Sequence, residues 1–260
     1  MFEWLHKLPT FWGVLIVCSA FVVPTLIGSL VCQPVVARLF SREEGSETAF
    51  NYMLNTFALY FSVLLALLSV AVFENYNRAE DAVDREAARL HRLYMDIGNY
   101  PDPLRGKLSA MLHAYAAEVA GPGWDLQARG EISPAEEAIT RDLRRAISAF
   151  EPASQGASLV HAQTLQALDD FSEARQLRIS TGGTAIPKIM WIVLLCSAVL
   201  NAVVIWLFDL RRATHAFVGG TLALFVGLVI YLITVLDAPF LGTHSVSPNA
   251  IVAVSRQQLR

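Results

Sequence analysis

The chain has 260 residues, of which 54% are hydrophobic and 17% charged, and its formal net charge is −3. The charges are segregated, because residues 10–37, 48–73, 189–208 and 213–236 contain no Asp, Glu, Lys or Arg. Each run reaches the roughly 20 residues that a helix needs to cross about 30 Å of hydrocarbon. This pattern excludes a soluble globular domain, a disordered chain and a secreted disulfide scaffold.

The first apolar run is longer than the roughly 7–15 residues of a signal-peptide core, and no clear cleavage site follows it. We therefore expect the first run to stay attached as a membrane span. The cysteines lie inside the apolar runs and indicate small apolar side chains rather than a disulfide framework. The predicted transmembrane helices are 10–37, 50–73, 187–208 and 213–236.

Four crossings place the N-terminus, a central segment (74–186) and the tail (237–260) on one side of the membrane. Lys and Arg residues near the span ends favour that side as the cytoplasm, by eight to four. The eight are Lys7, Arg78, Arg85, Arg89, Arg92, Arg175, Arg178 and Lys188; the four are Arg38, Arg42, Arg211 and Arg212. We expect a multi-pass membrane protein with both termini cytoplasmic. Because long loops follow this rule poorly, the opposite orientation stays an alternative.

The central segment has the pattern of helices throughout, so the predicted fold class is an all-α membrane protein. Apolar residues recur with a period near 3.6 from Tyr76 to Tyr94, which predicts that the second span continues as one long helix. Pro101 and Pro103 should end it. Ser133 opens a capping box with Pro134 at the first helical position. Further apolar stripes predict helices from Leu104, after Ser133 and over about 158–180.

No constellation of nucleophile, base and orienting group is found, so we do not expect an enzyme. The histidines are scattered without a metal-ligand spacing, and no phosphate-binding glycine loop is present. We expect no metal, no cofactor and no nucleic-acid partner. The spans carry no ionisable Asp, Glu, Lys or Arg, which argues against an ion-coupled transporter.

The second span carries two different stripes. Asn55, Ser62 and Ser69 recur every seven residues and form a small, polar stripe. Bulky side chains form a ridge on other faces: Phe57, Phe61, Leu64 and Leu68. Spacing alone favours ordinary helix packing. The alternative is a pore-lining helix whose bulky rings form a hydrophobic constriction.

Several stretches resemble the bestrophin-like DUF4239 family of bacterial integral membrane proteins. They include Asn75-Tyr76-x-Arg78-Ala79, the run 82–87 with Glu86, Ala174-Arg175-x-x-Arg178 and Leu236-Asp237-x-Pro239-Phe240-x-Gly242. The resemblance covers nearly the whole chain in the right order. The residues that we take from it as family-motif candidates are Asn75, Arg78, Glu86, Arg175, Arg178, Asp237, Pro239, Phe240 and Gly242.

Bestrophins are pentameric anion channels, in which the second helix of each subunit lines the pore with apolar rings. The resemblance therefore implies a homo-oligomeric, pentameric ion channel with anions favoured over cations. Its partners would be the lipid bilayer, further copies of the chain and inorganic ions. The acidic calcium-binding run of the animal channels is missing, so calcium gating is not carried over.

Several interpretations stay open. Arg78, Arg85 and Arg89 lie just beyond the second span and could attract anions to a pore mouth. They could equally pair with Glu74, Asp81 or Glu86 on their own helix. Asp237 either stops the fourth span or docks near Arg78 or Arg175. The alternative function is a membrane-anchored scaffold or sensor whose cytosolic helical domain binds a partner.

Overall fold

The computed structural model describes residues 3–6, 8–40, 46–182, 186–206 and 211–257, with the backbone alone at 3–4, 33–40 and 46–50. The described part is all-helical and shows no β-strand. The helices are α1 (Glu3–His6), α2 (Thr10–Phe40), α3 (Ser46–Ile97), α4 (Leu104–Ala120), α5 (Pro122–Ala128), α6 (Pro134–Ser148), α7 (Gln155–Thr181), α8 (Lys188–Trp206), α9 (Arg212–Leu236) and α10 (Asn249–Gln257). The predicted orientation residues Lys7 and Arg42 lie outside the described residues.

Four of the described helices are long and apolar enough to cross a membrane: α2, α3, α8 and α9. The chain divides into two compact units. Residues 1–74 and 186–237 form the membrane unit, which contains the four apolar segments. Residues 75–185 and 238–260 form the polar unit, so the tail belongs to the same compact unit as the central segment.

The second span continues as one helix, as its apolar period predicts. In the polar unit the stripe of α3 is buried, with Ala79 and Val83 at most 1% exposed and Leu90 2% exposed. The helix ends at Ile97, directly before Gly98 and the proline pair. A single continuous helix therefore contributes side chains to both compact units.

The membrane unit is built on close helix packing between α2 and α9. A Cβ atom on Gly227 of α9 would lie only 2.9 Å from the Cα of Cys18 on α2. A Cβ on Gly28 would overlap the indole ring of Trp206. Without a hydrophobic driving force in lipid, such small residues let helix backbones approach and gain dispersion contacts.

An apolar cluster in the membrane unit joins α3, α8 and α9. Its buried members are Phe61, Leu65, Leu68, Val72, Trp191, Leu194, Ala198, Val226, Ile230 and Ile233. Many other apolar side chains of these helices face outward, with Phe217 75% and Tyr60 70% exposed. Such a surface suits lipid or neighbouring subunits, because in water it would be an unusually large apolar patch.

The polar unit has its own core, formed by α3, α4, α6, α7 and the tail. Leu112, Ile147 and Phe171 are at most 2% exposed within it. The tail adds Phe240, Val246 and Ile251, all buried, so the described part of the tail belongs to this core rather than forming a separate appendage.

Side chains cap the starts of two helices in the polar unit. The Ser133 hydroxyl accepts from the backbone N–H of Glu136 at the start of α6. The Ser154 hydroxyl accepts in the same way from the N–H of Ala157 at the start of α7. Such caps satisfy N–H groups that have no partner within the helix, so both helix starts are fixed locally.

Candidate functional site

The bulky ridge of α3 lies inside the membrane unit. Phe61 is 7% and Leu68 2% exposed, and Phe57 and Leu64 pack against the same apolar cluster while partly buried. The rings of Phe57 and Phe61 stack with their centroids 5.8 Å apart. In the single chain Phe61 and Leu68 are already covered by the cluster that includes α8 and α9, and this burial favours the packing interpretation for these two residues.

The small polar stripe of α3 lies on a different face, which is exposed at Asn55 and Ser62 and half-buried at Ser69. Asn55 and Ser62 are both exposed, as are Ala58 and Ala66 between and beyond them. The Ser62 hydroxyl donates to the carbonyl of Leu59 at 2.8 Å, within the helix. Its oxygen can still accept a hydrogen bond, so this face offers polar atoms without charge.

The three arginines beyond the span have different surroundings. Arg78 and Arg85 are exposed. Arg89 Nη1 donates to Asp170 Oδ2 of α7 at 3.1 Å. Arg89 is therefore paired across to another helix, whereas Arg85 has no ion pair with any described residue.

The most unusual feature of the polar unit is a fully buried arginine with two buried carboxylates. We name it the Arg178 cluster, and each of its five residues comes from a different helix of α3 to α7: Glu86, Tyr115, Gln127, Glu136 and Arg178. Arg178 Nε donates to Glu86 Oε2 at 2.5 Å and Nη2 donates to Glu136 Oε2 at 2.8 Å. The side chains of Arg178 and Glu86 are 0% exposed and that of Glu136 is 3% exposed.

Neutral partners complete the Arg178 cluster. Gln127 accepts from Arg178 Nη1 through its side-chain oxygen, and its Nε2 donates to the Arg178 carbonyl at 2.8 Å. The Tyr115 hydroxyl donates to Glu86 Oε1. The guanidinium carbon of Arg178 lies 6.0 Å from the ring centroid of Trp124. Both carboxylates and the guanidinium thus have partners, as buried charges require.

Electrostatics keeps Arg178 charged and Tyr115 neutral, while burial raises the pKa of Glu86 above its ordinary value. Burial on its own would lower the pKa of Arg178, but the charges of Glu86 and Glu136 outweigh it and raise the pKa above its ordinary value. Burial, followed by the charge of Glu86, raises the pKa of Tyr115 well above its ordinary value. The arginine is therefore a permanent cation and the phenol stays protonated as a donor.

The predicted capping box consists of Ser133 and Glu136, and only Ser133 acts as a cap in the structure. Ser133 caps α6 as expected, but the Glu136 carboxylate accepts from Arg178. A Cβ on Gly123 would overlap Glu136 Oε1, so the absence of a side chain there leaves room for the carboxylate. A second arginine, Arg175, has its Nε 3.6 Å from Glu136 Oε2.

The family-motif residues after the fourth span form a packed turn. Asp237 accepts from the backbone N–H of Ile186 at 2.6 Å and from Trp191 Nε1 at 3.2 Å, which ties the end of α9 to the start of α8. Helix α9 ends at Leu236, as the helix-stop interpretation predicts. The hydrogen bonds of Asp237 lie within the membrane unit, at the end of a helix, as the helix-stop interpretation predicts.

The structure also explains the residue types in the rest of this motif. Phe240 packs edge-on against Trp124, with ring centroids 5.3 Å apart. Gly242 has φ +87°, a conformation that L side chains rarely adopt. Pro239 is buried and its carbonyl accepts from the N–H of Val246 at 2.8 Å. The motif Asp237-x-Pro239-Phe240-x-Gly242 is therefore a structural turn.

Sequence reasoning singled out Glu86, Arg175 and Arg178 but missed their partners. Tyr115, Gln127 and Glu136 were not among the candidate site residues, and the short helix α5 that carries Gln127 was not predicted. One signal was available in the sequence. Arg178 lies seven residues, or about two helical turns, after the buried Phe171, so both side chains lie on the same face of α7. Asn75, the first of the family-motif candidates, is half-buried on α3.

Comparisons with known proteins agree with this architecture. A family model for the bestrophin-like domain matches residues 19–251. No curated protein matches the chain. A crystal structure of a bacterial bestrophin homologue from Klebsiella pneumoniae has a TM-score of 0.73 at 12% identity, covering 93% of this chain and 97% of that one.

Two further solved structures give the same result. Another variant of the Klebsiella pneumoniae homologue has a TM-score of 0.69 at 13% identity, covering 92% and 95% of the two chains. A structure described as a membrane protein has a TM-score of 0.69 at 12% identity, covering 92% and 97%. At this identity the likeness establishes the fold, and the family is one of membrane proteins without enzymatic chemistry. The chain is a membrane protein that belongs to the bestrophin-like family.

Proposed function

We propose that the chain is a homo-oligomeric ion channel of the bacterial inner membrane, with both termini in the cytoplasm and anions favoured over cations. The proposed subunit number is five, and α3 of each subunit lines the pore. Family membership and the four apolar helices support a channel in general terms. The pore-lining assignment rests on the geometry of α3, the subunit number and anion preference on the family resemblance, and the orientation on the Lys and Arg count.

One observation carries the proposal: α3 presents an uncharged polar face outside the core of its own chain. Asn55 and Ser62 are exposed although they lie within an apolar span. Polar groups in a span face a bundle interior or a water-filled path more often than lipid. We therefore assign the pore wall to the face of Asn55 and Ser62, and give Phe61 and Leu68 a supporting role in packing.

The face of α3 next to the proposed wall supports an apolar constriction made by other residues. Leu59 and Val63 are 62% and 50% exposed, so they are free to contact a pore or neighbouring subunits. A ring of such side chains from several subunits can block ions by excluding water. At the cytosolic mouth, Arg78 and Arg85 are exposed and would raise the local concentration of anions.

A scaffold or sensor is the second candidate, because the polar unit has an independent core and a buried ion-pair cluster. A folded cytosolic domain is also compatible with a channel, so this observation fits both functions. The two are separated by measuring transport.

The direct test is ion flux through liposomes that contain the purified full chain, with empty liposomes as the blank. A channel predicts flux of chloride, and of potassium at a lower rate, from protein whose subunit number is counted by native mass spectrometry. Absence of flux from folded, oligomeric protein in every salt tested would favour the scaffold.

A further inference from the structure

A cleft of about 620 Å³ lies between α3 and α7 of the polar unit. We name it the α3–α7 cleft. Volumes of this order, from about 300 to 1,000 Å³, are typical of sites for small organic molecules. A bare inorganic ion would leave most of this space to water.

The charge of the cleft wall is positive. Three arginines of α3 line the cleft: Arg85, Arg89 and Arg92. Their spacings of four and three residues put them on one face of the helix. Asp170 of α7 lies 3.1 Å from Arg89 and 3.7 Å from Arg92, so one carboxylate serves two guanidinium groups. The second acid of the wall is Glu173.

Arg85 and Glu173 are left without an ion pair to any described residue. Counting both acids against the three arginines, the wall keeps one uncompensated positive charge. A guanidinium group binds carboxylates through two parallel hydrogen bonds, which favours an oxyanion over a spherical ion.

The floor of the cleft is apolar. Ala88, Ala174 and Leu177 are its apolar lining residues, and the side chain of Leu177 is 41% exposed. Covering this surface would stabilise a bound molecule by removing apolar area from water. The wall and floor together select a ligand with an anionic head and an apolar body.

We propose that the α3–α7 cleft binds a small organic monoanion, namely a carboxylate with an apolar body, anchored by Arg85 and covering Leu177. This site goes beyond ion conduction and does not depend on it. The carboxylate of the bound ligand lies at Arg85 and Arg89, and repulsion from Glu173 weakens the binding.

The test uses benzoate as the probe and the full chain in lipid nanodiscs, with binding followed by isothermal titration calorimetry against empty nanodiscs. Benzamide keeps the ring without the charge, and acetate keeps the charge without the ring. Each should bind about tenfold or more weakly than benzoate, since a charge-assisted pair or a buried ring contributes more than about 1.4 kcal/mol. Equal binding of benzamide and benzoate would overturn the proposal, as would failure of benzoate to bind.

Two variants at the site should act in opposite directions. Arg85→Gln should weaken benzoate binding about tenfold. Glu173→Gln should strengthen it about threefold, because it removes the repelling charge; a merely disruptive substitution would not do so. Arg141→Gln is the matched control, since Arg141 of α6 is also exposed and has no ion pair with a described residue. Equal weakening by Arg85→Gln and Arg141→Gln would contradict a specific site.

A second copy of the chain could cover the same cleft. The substitution Leu177→Cys, made in a chain whose own three cysteines are changed to alanine, detects this, because the introduced thiol would form disulfides between copies if two clefts met. Efficient cross-linking, prevented neither by benzoate nor by acetate, would show that another subunit occupies the cleft and would overturn the proposal. The proposal would be supported if the thiol at position 177 formed no cross-links and if benzoate, but not acetate, protected it from alkylation.

Discussion

Replacing Arg178 tests the buried ion-pair cluster most sharply. Arg178→Met keeps much of the side-chain length but removes the cation that Glu86 and Glu136 share at 2.5 and 2.8 Å. Both carboxylates are at most 3% exposed, so water cannot replace the lost partner. Breaking a buried pair in this way costs about 3 to 5 kcal/mol of unfolding free energy.

The matched control is Arg175→Met, one helical turn earlier. Arg175 lies 3.6 Å from Glu136 and its side chain is 12% exposed, and its Nε and Nη2 have no hydrogen-bond partner among the described residues. Its removal leaves Arg178 in place as the cation for both carboxylates. We expect a loss of at most about 1 kcal/mol, comparable to a weak ion pair.

The assay is urea unfolding of the full chain in nanodiscs, followed by the fluorescence of Trp124. Trp124 is the tryptophan of the polar unit, so changing the other four to phenylalanine leaves a reporter beside the cluster. A loss below about 1 kcal/mol for Arg178→Met would refute a dominant role of the buried pair. Neutralising both carboxylates as well, with Glu86→Gln and Glu136→Gln, should recover part of the loss, because no unpaired charge then remains.

The remaining predictions concern the membrane unit. Gly227→Ala should lower stability by about 1 to 3 kcal/mol, because the added Cβ would lie 2.9 Å from the Cα of Cys18 and force α2 away from α9. Gly220→Ala is the control, since its nearest atom is 3.7 Å away, and equal effects in thermal unfolding would contradict the close-packing argument. Asp237→Ala should cost about 1 to 3 kcal/mol through the loss of the hydrogen bonds to Trp191 and the start of α8. An unchanged melting temperature for this variant would count against that link.

The helices were predictable because their signals are local. The stripe that includes Ala79, Val83 and Leu90 repeats every three or four residues, and its burial in the structure confirms the continuous second helix. Ser133 likewise marked the start of α6. Charge-free runs marked the four membrane helices, since the length needed to cross a bilayer is fixed.

The bulky ridge of α3 shows what local sequence signals cannot predict. Its period places Phe61 and Leu68 on one face, but every face of a membrane helix is largely apolar. Hydropathy therefore cannot tell which face packs against α8 and which faces a pore or lipid. That choice depends on the positions of other helices.

The pairing of the charged residues in the polar unit was even harder to predict from the sequence. The sequence placed Arg178 on the cytoplasmic side and Glu86 as one possible partner within its own helix, and both were family-motif candidates. The structure pairs them across 92 positions of the chain, and neither side chain is exposed. Leu177, by contrast, is an apolar residue that is 41% exposed. Pairings between distant helices leave no periodic signal in the sequence.

The most direct test of the central claim compares chloride flux through liposomes for two substitutions of exposed hydroxyl residues. Ser62→Phe puts a bulky ring on the proposed pore face of α3, and Thr221→Phe puts the same ring on an exposed face of α9. Both hydroxyls donate to a carbonyl of their own helix at 2.8 Å, so the chemical change is closely matched. We predict that Ser62→Phe abolishes most of the flux while Thr221→Phe leaves it near the wild-type rate, with assembly unchanged in both. Equal flux in the two assembled variants would contradict a pore lined by this face of α3.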